Sequence, residues 1–243
     1  VGSGGLFNLA GQNISTAAGT GFNKTGAGSF FTSGSAYTGG FTLSAGTIVL
    51  GGISAMGSGA LNLNGGTVAA SANRNITSRY TSVTIGGNVQ FGEIAANSSL
   101  AVGSSTITIA DNISIGSTTR TLTLGGSGAI SFGGVISGTG GITFGANANG
   151  TGSFILTGAN TYNGLTTVSG GTLQLNRSGG TTLPVGNSLT VNSGGTVIIS
   201  TAQQLNNITV DAGGTLILTA TLTVSGTATI NGTLQIGQGG FAT

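Results

Sequence analysis

The sequence predicts an all-β protein folded as a parallel β-helix (β-solenoid) with essentially no α-helix. Three observations lead there. Short strands of alternating apolar and polar residues fill the chain, the same phrase returns about every twenty residues, and 50 glycines among 243 residues punctuate the phrases. Alternation of the kind seen in Leu189-Thr-Val191 or Leu173-Gln-Leu175 puts every second side chain on one face, the pattern of a half-buried strand. Apolar residues do not recur at three and four, and each glycine inside a helix would cost about 1 kcal/mol.

Taken in order, the recurrent phrase is a strand, a small-residue turn ending in Gly-Thr, and a second strand. It reads LSAGTIVL over 43–50, LNLNGGTV over 61–68, VSGGTLQL over 168–175, LTVNSGGTV over 189–197, ITVDAGGTL over 208–216 and INGTLQI over 230–236. The last four Gly-Thr steps, at Gly171, Gly195, Gly214 and Gly232, lie 24, 19 and 18 residues apart. A coil of about twenty residues cannot bury its own apolar face, so coils must stack, with equivalent strands about 4.8 Å apart. That spacing predicts roughly 12 coils and a rod on the order of 55–60 Å. Glycine supplies the left-handed corner positions, and the single proline, Pro184, falls between strand phrases, where it breaks no ladder.

A longer duplication overlies the short one. Tyr37 matches Tyr162 and Gly46 matches Gly171, both at an offset of 125 residues. Tyr37, Gly46, Tyr162, Gly171, Gly195 and Gly214 are therefore the expected structural positions of the repeat. The chain divides into an N-terminal segment, 1–21, and a β-helix, 22–243, holding two long imperfect repeats at about 22–68 and 142–197 with linking coils between.

The stretch TGANTYNGLTTVSGGTLQL over 157–175, preceded by ISGTGGI over 136–142, closely resembles the autotransporter-associated β-strand repeat of bacterial passenger domains. The segment from Lys24 to Val68 is a second match. The resemblance implies a right-handed parallel β-helix, in keeping with the handedness of parallel crossovers, and export from a Gram-negative-type bacterium to the cell surface or beyond. The chain departs from the usual passenger in its low charge and in having no membrane-barrel domain before Thr243. It opens at Val1 without Met or a leader, which suits an exported protein whose signal peptide has been removed, or an excerpt of a longer precursor.

Composition narrows the functions. Only 3% of residues are charged: Lys24, Arg74, Arg79, Arg120 and Arg177 against Glu93, Asp111 and Asp211. A net charge of +2 with no cluster is no footprint for nucleic acid, and Arg74 with Arg79 beside Tyr80 reads as a solvated edge rather than a polyanion site. With 37% apolar residues the chain can bury a core, which separates it from disordered sequences. No apolar run reaches the ~18 residues of a membrane helix, so membrane insertion is not expected. There is no His, Cys or Trp, which removes the commonest metal and acid–base ligands. A polysaccharide-cleaving site would need converging carboxylates, and of the three present only Glu93 and Asp111 are close in sequence. Neither aspartate sits in the nonapeptide calcium motif, and the GQGGFA run at 237–242 matches a dinucleotide fingerprint by chance, with no helix behind it. No cofactor and no catalysis are expected. Sequons such as Asn13-Ile-Ser15, Asn23-Lys-Thr25 and Asn112-Ile-Ser114 are expected by chance at this composition. Tyr37 and Tyr162 read as packing residues before sugar platforms.

A structural role remains. The sequence shows no polar caps, and open coil ends invite another chain. The leading expectation is a subunit of an extracellular bacterial fibre, its partner a further copy of itself joined head to tail or by strand donation, through Leu6, Phe7, Leu9 and Ile14 at one end and Leu234, Ile236 and Phe241 at the other. The alternative is a passenger fragment acting as an adhesin stalk toward other cells or surfaces.

Overall fold

The computed structural model describes residues 6–14, 19–35, 38–92 and 104–237. Among them there is no helix, and the strands form three parallel sheets of twelve, eight and six members. Every strand pair is parallel and joins one coil to the next, as in Thr47 opposite Thr67 or Thr196 opposite Thr215. The chain is a β-solenoid of about ten turns.

The twelve-stranded sheet runs the whole length, from Leu6–Ile14 to Leu222–Val224 and Ala228–Ile230. The six-stranded sheet accompanies its first half, from Phe22–Lys24 to Ile136–Ser137, and the eight-stranded sheet its second, from Arg74–Asn75 to Thr233–Ile236. The solenoid is thus two-sided at each end and three-sided in the middle. Coil length varies accordingly. Ser29 faces Thr47, 18 residues on, whereas Asn88 meets Thr121 across 33 residues. A uniform twenty-residue coil therefore overcounts the turns, which explains ten where the spacing suggested twelve.

The core is a set of columns of identical orientation. In the six-stranded sheet the inward column is Phe22, Phe41, Leu61, Val83, Ile113 and Ile136. In the eight-stranded sheet it is Ile107, Ile130, Phe154, Leu173, Val197, Leu216 and Leu234. Like residues stack on like, so Phe22 and Phe41 lie with ring centroids 5.6 Å apart and their planes nearly parallel. Phe132, Phe144 and Phe154 fill the wider middle coils, with Phe132 stacked on Phe154 at 6.3 Å. Such columns bury apolar area at every step of the stack, which is what drives the coils together.

The strand Leu6–Ile14 pairs in parallel with Ser29–Ser35, with a shift of register between Leu9 and Asn13. Leu6–Ile14 thus forms one more rung of the long sheet.

Candidate functional site

The corners come first, because the repeat phrase encodes them. Gly46 and Gly171 occupy the left-handed region, with φ of 72° and 70°, a conformation that only glycine adopts freely. A Cβ at Gly46 would run into the carbonyl oxygens of Gly26 and Gly28 and the Lys24 ammonium. At Gly171 the nearest obstacle is the Ala146 Cβ, 3.0 Å away. In the later phrases the left-handed residue moves back by one, to Gly194 and Gly213 with φ of 80° and 83°. Gly195 and Gly214 have no positive φ. They are glycines because a side chain there would meet the Val168 and Val191 carbonyl oxygens at 2.5 and 2.6 Å.

Lys24 is the one buried charged side chain among the described residues, 6% exposed. It stands in an inward column, opposite Leu43, and its ammonium donates to the carbonyls of Gly26 and Ala45 at the corner. Burial pushes its pKa below the usual lysine range.

Tyr162 is completely buried. Its hydroxyl lies 2.7 Å from Thr166 Oγ1, and the Thr166 hydroxyl donates to Asn187 Oδ1 at 3.0 Å, so the tyrosine is the donor in the first bond. Asn187 Nδ2 closes the chain by donating to the Gly164 carbonyl at 2.7 Å. Burial drives the Tyr162 pKa well above the ordinary value of 10.0, against a smaller lowering by the Thr166 bond. A second buried chain runs beside it. Asn160 accepts from Ile136 N and donates to the Thr182 carbonyl, and Gln203 Oε1 accepts from both Thr182 N and Leu183 N. These side chains satisfy backbone groups that leave the ladders at the corners, where an unpaired buried N–H would cost about 1–3 kcal/mol. Composition hid them, because Asn, Gln and Thr looked like turn and surface residues.

Outside, the long sheet carries an unbroken file of threonines: Thr121, Thr143, Thr167, Thr190, Thr209 and Thr229, each opposite the next. Exposed asparagines cap the neighbouring coil, as Asn73 does for Thr106 N, Asn88 for Thr121 N and Asn112 for Val135 N. Asp111 accepts from Ser78 N through both carboxylate oxygens at 2.9 Å, and Ser78 has a φ of 58°. Arg74 donates to the Leu50 and Gly51 carbonyls and Arg79 to Ser54 Oγ. These charges knit corners together. Among the described residues no three His, Cys, Asp or Glu side chains come together as a metal site.

The C-terminal coil is different. Leu234 and Ile236 are the last members of inward columns, opposite Leu216 and Leu218, yet they are 42% and 57% exposed. Ile230, opposite Val210, is exposed as well. Among the described residues no rung lies beyond them. At the other end Leu6, Phe7, Leu9 and Ile14 lie on the paired strand already described, opposite Ser29, Phe30, Thr32 and Ser35. Tyr37, Glu93 and Phe241 lie outside the described residues.

Comparison with known proteins adds one family. The model described as passenger-associated-transport-repeat matches residues 22–50 and 147–175, two segments separated by the same 125 residues that relate Gly46 to Gly171. No curated protein and no solved structure matches the chain.

Proposed function

We propose that the chain, a parallel β-solenoid with two segments that match the passenger-associated-transport-repeat, serves as a rigid stalk in a secreted or surface-exposed bacterial protein of the autotransporter passenger type, holding distance rather than performing chemistry. One observation carries this reading: inward side-chain columns run from coil to coil along the solenoid, so each rung is joined to the next by backbone hydrogen bonds and apolar stacking, with buried polar side chains adding links between residues 136 and 203. Such an object resists bending along its axis. The outward threonine file and the near-absence of charge leave sides that neither repel nor attract strongly.

The reading is tested by changing length. Four further tandem copies of residues 195–213, one coil by the pairing of Thr196 with Thr215, should lengthen the particle by about 19 Å at unchanged cross-section in small-angle X-ray scattering. A compact particle, or turnover of a polysaccharide by the purified chain, would count against a stalk.

A second reading is favoured by the exposed column ends at Ile230, Leu234 and Ile236. They offer an apolar surface and strand edges that a second copy of the chain would cover, giving an end-to-end filament. Filaments by electron microscopy would support it. A monodisperse monomer in light scattering at high concentration would exclude it.

A further inference from the structure

We propose that Asn64 is a site of spontaneous, structure-selected modification, converting to aspartate and isoaspartate through a succinimide formed with Gly65. The chain contains four Asn-Gly pairs, at Asn64, Asn149, Asn163 and Asn231. The reaction requires the glycine backbone nitrogen to lose its proton and reach the asparagine Cγ, and glycine permits this because it has no side chain in the way. A hydrogen bond from that N–H to a carbonyl opposes both steps.

Three of the four glycines are held in this way. Gly150 N donates to the Asn147 carbonyl at 3.0 Å, Gly164 N to Gly140 at 3.1 Å and Gly232 N to Val210 at 3.1 Å. The fourth is not. Gly65 N–H has no hydrogen-bond partner among the described residues, nor has the Asn64 carbonyl, so no hydrogen bond must break for this peptide unit to turn. Asn64 itself is exposed and sits at the corner between Leu61–Leu63 and Thr67–Ala70. Its own N–H is anchored to the Leu43 carbonyl at 2.8 Å, which keeps the Asn64 side of the corner in place while the next peptide turns.

Hydroxide takes the Gly65 amide proton and the nitrogen attacks Asn64 Cγ. The N–Cγ bond forms, the Cγ–Nδ2 bond breaks, and ammonia leaves with a proton from water. Water then opens either carbonyl of the ring, leaving aspartate or isoaspartate. Either product brings a carboxylate to a chain that is 3% charged. Isoaspartate also adds a methylene to the backbone beside Gly65, where a Cβ would already meet the Ser44 carbonyl at 2.6 Å.

The test is incubation of the purified, folded chain at pH 7.4 and pH 8.5, followed by peptide mass mapping with separation of the isoaspartyl form. Asn64 should convert first, gaining about one mass unit, several-fold faster than Asn149, Asn163 and Asn231, and faster at the higher pH. In urea the four sites should converge in rate, because only the fold distinguishes them. Asn64→Gln should abolish the early conversion. Folded protein in which the four pairs convert together, or in which any of the other three precedes Asn64, would overturn the proposal.

Discussion

At the level of single residues, the duplicated glycines show how one sequence position takes two different loads. Gly46 and Gly171 share a left-handed backbone to within a few degrees, and either loses about 1–2 kcal/mol when alanine forces a Cβ into that region. Only Gly46 is also enclosed by carbonyl oxygens and a buried ammonium. The Gly46→Ala variant is therefore expected to lose a further ~1–3 kcal/mol by overpacking, while Gly171→Ala presses only on the Ala146 methyl and a leucine side chain. Urea unfolding midpoints of the two variants measure the difference. Equal shifts would show that backbone strain alone sets the requirement. Residue types legible in the sequence were those that the backbone demands, the corner glycines and alternating aliphatics. The buried Asn160, Gln203 and Tyr162 chains were not legible as partners, because which carbonyl leaves a ladder at a corner depends on coil length, and coil length varies from 18 to 33 residues.

Between residue and molecule stands the strand–corner–strand unit. The two matched segments carry it as Phe41–Leu43 with Thr47–Leu50, and as Thr166–Val168 with Gly171–Leu175. In the first, the corner joins the six-stranded sheet to the twelve-stranded one. In the second, it joins the twelve-stranded sheet to the eight-stranded one. Alternation and the Gly-Thr step reveal the unit but not its face, because every face presents the same inward column of aliphatics. Unit stability should also vary along the stack. Strands with neighbours on both sides, such as Gly195–Ile199 between Gly171–Leu175 and Thr215–Leu218, are bonded twice, whereas Ala228–Ile230 and Thr233–Ile236 are bonded on one side among the described residues. Hydrogen–deuterium exchange should be slowest at 195–199 and at least ten-fold faster at 228–236, since local opening follows the number of restraining contacts. Uniform protection would show that another surface covers the last coil.

For the whole molecule, the scarcity of ionisable groups makes pH a weak lever until the alkaline range. There Lys24 and Tyr162 act with opposite sign. The Lys24 pKa is lowered in the fold, so between that value and the ordinary 10.5 the unfolded chain holds more protons, and stability rises with pH. The Tyr162 pKa is raised, so above the ordinary 10.0 the folded chain holds the extra proton and stability falls. Melting temperatures should climb modestly toward pH 10 and drop beyond it, and Tyr162→Phe should blunt the drop. An unchanged alkaline limb in that variant would assign the loss elsewhere.

The move of the repeat from one face to the next has a consequence for how such a chain can grow. A unit that needs only a corner and two inward columns is indifferent to which side of the solenoid receives it. Unequal recombination between gene copies therefore need not insert a whole number of turns. Length becomes a quantity that drift and selection adjust in small increments, with no reading of the total.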